Sequence, residues 1–430
     1  MKRYGLGVFP NFGDENNIMG RMDKPQQRLM MAPADQKTVR RHNLGLVLGN
    51  IAKGGRRSRA RVSAETGLNP STVSSLVGDL IDWGFICEVG VEQDGSIGRP
   101  GRSLELNPDG GAALGIEIAD DGVGVLALDL VGTVRYRAFI SQDNREKVPT
   151  DVVEQATHLA AEALKSFRNT KIAKVCTIAV PGLVVRGEVL LQAPNIGWSN
   201  VAILATWRSL LPDVPLVIDN DARLASYAEM TMGIAQNIES FAYVSGGVGI
   251  GSGLVLDRKI YRGAHGFAGE LGHTIIDRSV PPRSWGAQGS LQTLAGELAL
   301  LELAGLSAEG RAAGSDPDWT GREIARRASA GDAQALAALQ EVGRALGVGI
   351  SNLYNLLDME AVVLGGYFTH VAEWLRGPIE EELHARVNAE HWAELSLRFS
   401  GMGREAAVRG AAAWSLDAIL ERVGQEGVDA

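Results

Sequence analysis

Thr66-Gly67-Leu68-Asn69-Pro70-Ser71-Thr72-Val73-Ser74-Ser75-Leu76-Val77-Gly78-Asp79-Leu80-Ile81 reads as a tight turn followed at once by a helix. Gly67 is free to take positive φ in the turn. Asn69 is a good N-cap, and Pro70 sits at the first helical position, where its missing N–H costs nothing. Val73, Leu76, Val77, Leu80 and Ile81 supply a buried stripe until Gly84 ends it. Upstream, Leu44, Val47, Leu48 and Ile51 fall at i, i+3, i+4 and i+7 on another helix, which Gly54 and Gly55 stop. Ser58 caps a short second helix through about Glu65. Three helices with a tight turn before the third are helix-turn-helix grammar.

Working outward, Phe85-Ile86-Cys87-Glu88-Val89 alternates as a strand, the polar Glu92-Gln93-Asp94-Gly95-Ser96 turns it, and Ser103-Leu104-Glu105-Leu106 returns. The trio therefore carries a wing. Gly98-Arg99-Pro100-Gly101-Arg102 is a stiff segment with two guanidinium groups suited to phosphates or a narrow minor groove. Residues 37–104 hold ten Lys or Arg and six Asp or Glu, a net of +4, so the remainder of a chain with net charge −9 carries −9 − 4 = −13. Such segregation suits a nucleic-acid reader attached to a body with other work.

A chain of 430 residues, 45% hydrophobic, holds this reader plus one large or two medium domains with real cores. Cys87 and Cys176 are the only cysteines and show no partner pattern, which argues against a disulfide framework and a thiolate zinc site. No apolar run is long enough to span a bilayer and the N-terminus lacks a signal-peptide stretch, so a cytoplasmic protein without a membrane partner is expected. Residues 1–37 show no periodicity and read as a flexible tail; 38–110 form the winged helix-turn-helix, and 111–430 the remaining domain.

That remainder is α/β in texture. Residues 114–130 form an apolar hairpin-like pair around Asp120-Asp121-Gly122, residues 152–167 are helical, and residues 175–180 are a buried strand ending at Pro181-Gly182. Residues 214–218 run as a strand into Asp219-Asn220-Asp221 and an Ala-rich helix; residues 241–244 run into a Gly-rich segment over 245–253. A later strand, Ala361-Val362-Val363-Leu364, enters Gly365-Gly366. Polar groups at the carboxyl ends of strands are where open sheets bind ligands, so two related lobes facing a cleft are expected.

The run Gly263-Ala264-His265-Gly266-Phe267-Ala268-Gly269-Glu270-Leu271-Gly272-His273 closely resembles the signature of the ROK family (repressor, open reading frame, kinase). Pro181-Gly182-Leu183, Ala193-Pro194-Asn195-Ile196-Gly197-Trp198, Asp219-Asn220-Asp221 and Leu364-Gly365-Gly366 stand in family order, so the likeness covers roughly residues 43–415. The resemblance implies a two-lobed actin/hexokinase-like domain for sugar binding and oligomerisation. The winged helix marks the regulator branch, which the family's sugar kinases lack. The Asp matching Asp221 is the catalytic base in family kinases, and the residues matching Asn220, Glu270 and His273 hold sugar hydroxyls; Gly182 joins this sugar-binding set. The residues alone also allow Asp221 to be the cap of the following helix, with Asp219 a further acid near its positive end.

Three departures from the family matter. Kinases open the domain with a D-x-G-x-T type loop that approaches nucleotide phosphates, whereas Glu117-Ile118-Ala119-Asp120-Asp121-Gly122 stands here, and added carboxylates repel a triphosphate. Most members follow the histidine with a C-x-C-G-x-x-G-C stretch that binds zinc. Here Val280-Pro281-Pro282-Arg283-Ser284-Trp285-Gly286-Ala287-Gln288-Gly289-Ser290 contains no cysteine, so no metal is expected, Pro281, Pro282 and Trp285 stiffening the loop instead. Gln292 stands where the family has a sugar-contacting Glu, losing charge and gaining two donors.

On the third helix, Ser71, Thr72, Ser74 and Ser75 face the DNA without Lys or Arg, so the bidentate guanine contact is missing there. Arg56, Arg57, Arg59 and Arg61 would meet phosphates, while Arg99 and Arg102 of the wing reach a groove. The expectation is a cofactor-free, sugar-responsive repressor of carbohydrate genes rather than an enzyme. Its partners would be double-stranded operator DNA, a small sugar or sugar-phosphate effector, and a second copy in a dimer or tetramer. The alternatives are a DNA-binding sugar kinase that keeps ATP-dependent phosphorylation, with Asp221 as base, and a constitutive DNA binder with a vestigial cleft.

Overall fold

The computed structural model describes residues 36–91, 102–145, 147–167, 172–185, 187–281, 283, 286–307, 316, 318–389 and 396–426. All but the last two residues of the expected tail, and the wing tip with Arg99, lie outside them. The reader consists of α1 (Gln36–Gly54), β1 (Arg57–Ser58), α2 (Arg59–Thr66), α3 (Pro70–Asp82), β2 (Ile86–Val91) and β3 (Arg102–Leu106). Both expected caps form: the Ser58 side chain accepts from the Arg61 N–H at 3.3 Å, and Asn69 Oδ1 from the Thr72 N–H at 2.8 Å. Gly67 turns the chain between α2 and α3 at φ 72°. The two-residue β1, too short to carry any periodicity, pairs Arg57 with Leu104 and makes the wing sheet three-stranded, in the order β1-β3-β2.

After residue 110 the chain builds two sheets of one design. Strands β4 (Gly111–Ala119), β5 (Gly122–Asp129) and β6 (Val134–Ser141) form an antiparallel meander. Helix α4 (Pro149–Leu164) leads to β7 (Ala173–Val180), which lies parallel to β4. A small sheet follows: β8 (Leu183–Val185), β9 (Val189–Ala193) and β10 (Trp198–Val201). Then come α5 (Ile203–Leu210) and β11 (Leu216–Asn220), which adds parallel to β7 for the order β11-β7-β4-β5-β6.

Helix α6 (Asp221–Met232) separates this lobe from the second, and it is buried on all sides from Ala222 to Met230, Arg223 and Glu229 included. Here β12 (Phe241–Gly246), β13 (Ile250–Leu256) and β14 (Lys259–Ile260) repeat the meander. Helices α7 (Leu291–Ala295), α8 (Glu297–Leu303), α9 (Trp319–Ser329) and α10 (Ala333–Leu357) precede β15 (Ala361–Gly366). After α11 (Ala372–Arg386), β16 (Ser396–Phe399) completes the order β14-β13-β12-β15-β16. In both sheets two parallel strands extend a three-stranded meander beyond its first strand, which makes the lobes two copies of one topology.

The last helix, α12 (Ala406–Glu426), returns to the first lobe. Ser415 Oγ donates to the Leu114 carbonyl at 2.8 Å and lies 2.8 Å from Thr177 Oγ1. A Cβ on Gly410 would fall 1.7 Å from the Leu224 carbonyl oxygen, so α12 and α6 touch backbone to backbone. Val408, Ala412, Ile419 and Val423 of α12 share one apolar cluster with Leu44, Leu48, Val77 and Leu104 of the reader and with Ala113 and Leu126 of the first sheet. Burying these side chains together gives reader and body a common core.

Candidate functional site

The carboxyl ends of β7, β11 and β12 open onto a cleft of about 1340 Å³. All six sequence-selected sugar residues line it: Gly182, Asn220, Asp221, Glu270, His273 and Gln292. Gly182 stands at φ 142°, and a side chain there would strike the Gln192 carbonyl, so the backbone itself forms this part of the wall. Its carbonyl accepts from Asn220 Nδ2 at 3.2 Å.

The helix that follows is capped by Asn220, not by Asp221: Asn220 Oδ1 accepts from the Arg223 N–H at 3.0 Å. Asn220 thus keeps one N–H and one lone pair for a ligand. Asp221 Oδ1 takes only its neighbour's N–H, Ala222 at 2.7 Å, and its other oxygen has no partner among the described residues. Burial is the main cause that pushes Asp221 up to about 6, opposed by the Ala222 N–H and helped by the carboxylates of Asp120 and Glu270.

Asp219 has a different task from a bystander near the helix end. It is 1% exposed and ion-paired with the buried Arg223 four residues on and with Arg262 at 2.5 Å. Arg223 Nη2 also donates to the Gly266 carbonyl at 2.8 Å, and the Arg262 carbonyl accepts from the Ala268 N–H at 3.1 Å. The loop that carries Glu270 and His273 is therefore tied to the strand end that carries Asn220 and Asp221. Beyond that loop, the Leu271–His273 turn sets His273 Nε2 3.7 Å from Glu270 Oε2, both side chains about half exposed toward the cleft. Across it, Gln292 Oε1 and Asn195 Nδ2 converge within 3.4 Å of one point beside Gly249.

The charge of the cleft is lopsided. Among its described lining residues are eight carboxylates (Glu117, Asp120, Asp121, Asp221, Glu270, Glu297, Glu302 and Asp316) and two guanidiniums, Arg145 and Arg404. Neither cation is free: Arg145 holds Asp143 at 2.7 Å, and Arg404 holds Asp121 at 3.2 Å while stacking on the Phe139 ring at 3.5 Å. Burial, reinforced by the carboxylates of Asp121 and Asp221, pushes Glu117 up to about 8. Asp121 is raised to about 6 by burial against the pull of Arg404, and burial raises Asp120 and Glu297 as well. The β4–β5 turn is thus an acidic wall.

Where the family resemblance implies zinc, the described residues do not fit it. Ser290 Oγ is engaged with Thr293 Oγ1 at 2.7 Å, and Thr293 Oγ1 donates to the Ala287 carbonyl at 2.8 Å. The Ile276 N–H donates to the Gly289 carbonyl at 2.9 Å, and Arg283 pairs with Glu302. Hydrogen bonds and an ion pair hold this loop from inside. Pro282, Ser284 and Trp285 lie outside the described residues.

In the reader, Ser71, Ser74 and Ser75 are exposed and Thr72 half-buried on α3. The arginines are arranged around glutamates. Arg57 and Arg61 share Glu65, Arg59 and Arg102 share Glu88, and Arg56 reaches Glu105. Arg56 is 70% exposed and Arg57 only 17%, a division invisible to a count of basic residues.

Sequence reasoning passed over Arg223, Arg262, Asn195, Arg145 and Arg404. The i, i+4 spacing of Asp219 and Arg223 was an available signal. Arg404 meets Asp121 across 283 residues, which no local pattern announces.

The ROK family model matches residues 114–418. The Bacillus subtilis (strain 168) xylose repressor is 30% identical over 394 residues, covering 91% of this chain and 99% of its own. A crystal structure of a ROK family transcriptional regulator, homologous to the E. coli MLC protein, superposes with a TM-score of 0.74 at 26% identity, covering 91% of this chain and 99% of that one. A ROK hexokinase from Thermus thermophilus reaches 0.57 at 26% identity, with 97% of its own length matched by 70% of this chain. The regulators match nearly end to end and the kinase without about a third of the chain; the chain belongs to the ROK family.

Proposed function

We propose that this protein is a cytoplasmic, sugar-responsive transcriptional repressor of carbohydrate genes, which binds an uncharged sugar in the cleft and operator DNA through the winged helix. End-to-end similarity to a protein named a xylose repressor supports the regulatory role. The observation that carries the effector class is the cleft wall. Eight carboxyl groups, Glu117 among them keeping its proton at neutral pH, face two guanidiniums already paired to carboxylates. Hydroxyl groups donate to such acceptors, whereas a phosphate needs spare cations or N–H groups. Gly182, Asn220, Asp221, Glu270, His273 and Gln292 would hold the sugar. The protein would act as a dimer or tetramer, because two-fold operators need paired readers at fixed spacing, and sugar binding would favour one lobe arrangement with lower operator affinity.

The test is a screen of neutral sugars and their phosphates, read by melting temperature and operator binding. A neutral sugar is expected to raise the melting temperature and release the operator, and its phosphate to do neither. A stronger response to the phosphate would overturn the effector class. One observation favours a second reading, a sugar kinase: Asp221 keeps an oxygen toward the cleft and titrates near 6, as a general base should. ATP-dependent phosphorylation of the sugar is expected to be absent; turnover that vanishes in Asp221→Asn would install the kinase reading.

A further inference from the structure

Resting on the sensor reading, we infer that Arg262 and Trp414 relay occupancy of the sugar site to α12 and through it to the reader. Three elements meet at the Trp414 ring. Arg262, immediately before the Gly263 that opens the signature loop, places its guanidinium 5.1 Å from the ring centroid. Tyr227, on α6, stands edge-on to the ring at 4.8 Å and 68°, and its hydroxyl donates to Asp417 one turn further along α12. Trp414 itself is half-buried.

Each partner leads back to the cleft. Arg262 holds the buried Asp219, whose neighbours Asn220 and Asp221 line the site, and its carbonyl accepts from Ala268 in the loop that carries Glu270 and His273. Tyr227 lies on the helix that Asn220 caps. A sugar that draws the loop toward Asn220 and Asp221 must shift Arg262 or α6, because both are fastened to those groups by hydrogen bonds or ion pairs. A shift of α6 reaches α12 without slack, since Gly410 lets the two backbones touch. At the other end of α12, Ile419 and Val423 belong to the apolar cluster of the reader's helices. Close-packed groups transmit displacement because they do not compress.

Trp414 is not among the described residues that line the cleft, so its role can be separated from binding. In Trp414→Leu, sugar affinity and operator affinity without sugar are expected to stay within about threefold of wild type, while the drop in operator affinity that sugar causes shrinks about tenfold. Trp414→Phe, which keeps a ring face for Arg262 and Tyr227, is expected to restore most of the response. Arg262→Gln combined with Trp414→Leu should lose no more response than Trp414→Leu alone, as two changes on one route do. Hydrogen exchange on the wild-type chain supplies a readout that no variant can spoil: sugar should alter protection over residues 414–423 and 44–51. A full sugar response in Trp414→Leu, or unaltered exchange in both segments while the wild type still releases its operator, would overturn the relay and leave the sensor standing. A wild-type operator affinity that no sugar changes would instead remove the sensor reading and the relay with it.

Discussion

Reader and cleft use the same charged residue types to opposite ends. In the reader, glutamates lie at the surface among arginines; hydrogen bonds from Arg61, Asn50 and Arg57 hold Glu65 near 2, and those from Arg102 and Arg59 lower Glu88. In the cleft, carboxylates outnumber cations and burial drives Glu117, Asp121 and Asp221 the other way. A surface that must meet a polyanion keeps exposed guanidiniums on a scaffold of acids. A cavity that must hold hydroxyl groups presents acceptors and ties its cations down.

The contrast breaks most visibly at the Arg223–Asp219 pair, buried on both sides. Arg223→Met leaves Asp219 with Arg262 and the Asn220 N–H and the Gly266 carbonyl without its donor, and is expected to destabilise the fold by about 3–5 kcal/mol in denaturant titration. Arg223→Lys should recover only part of this, since an ammonium cannot span both partners in the guanidinium's geometry. A loss under about 0.5 kcal/mol in Arg223→Met would mean that Asp219 is not held as the contacts indicate.

The acidic wall predicts a pH dependence whose sign is opposite to that of ion-paired carboxylates. Glu117 titrates near 8 in the folded chain against 4.5 as its ordinary value. A group with a raised folded pKa contributes stability that is complete below the ordinary value and is lost as pH climbs through the folded one. Stability should therefore fall between pH 5 and 8, by at most about 1.4 kcal/mol per pH unit for this group. Glu65, held low, works in the other sense but has finished titrating by about pH 5. In Glu117→Gln the decline from pH 6 to 8 should flatten, while the part due to Asp121 and Asp221 below pH 6 persists. A melting temperature that rises from pH 6 to 8 in the wild type would contradict the wall.

Within the site, Asp221→Asn keeps the size of the side chain and removes a charged acceptor. Sugar binding should weaken by about 1–3 kcal/mol, measured by calorimetry, and operator release should need correspondingly more sugar. An unchanged sugar response in both Asp221→Asn and His273→Ala would place the effector elsewhere.

What could be read from sequence was local. The caps Ser58 and Asn69, the turn at Gly67 and the stripe of α3 each act within a few residues, and periodicity reports such physics directly. The six sugar residues were named through the resemblance to the ROK family, whose motif positions they occupy; of them only Gly182, Asn220 and Asp221 sit at strand ends, where sheets deliver polar groups. Whether Asp221 caps the helix was left open by the residues alone: Asn and Asp both cap, and only backbone geometry shows that Asn220 does. The charge of the cleft was half legible. Asp120 and Asp121 announced it in the turn, but Glu297, the Arg404–Asp121 pair and the Asp219–Arg262 pair come from distant segments that only the fold brings together.

The same limit shaped the reading of the reader's arginines, and here the smallest effect gives the finest test. Sequence grouped Arg56 and Arg57 as equal phosphate contacts. The structure divides them: Arg57 is largely covered, bound to Glu65 and to the Arg56 carbonyl, whereas Arg56 is 70% exposed and pairs with Glu105. A half-exposed ion pair is worth little, so Arg56 can exchange its glutamate for a phosphate at small cost. Arg56→Ala should then weaken binding to all DNA sequences and lower the salt slope of log affinity by about one. Arg57→Ala should leave that slope unchanged and instead lower the melting temperature, because Glu65, still held by Arg61 and Asn50, loses the tie to the segment between α1 and α2. Equal slope changes in both variants would show that glutamate pairing does not sort these arginines, and the distinction between a scaffolded basic surface and an acidic cleft would then rest on the cleft alone.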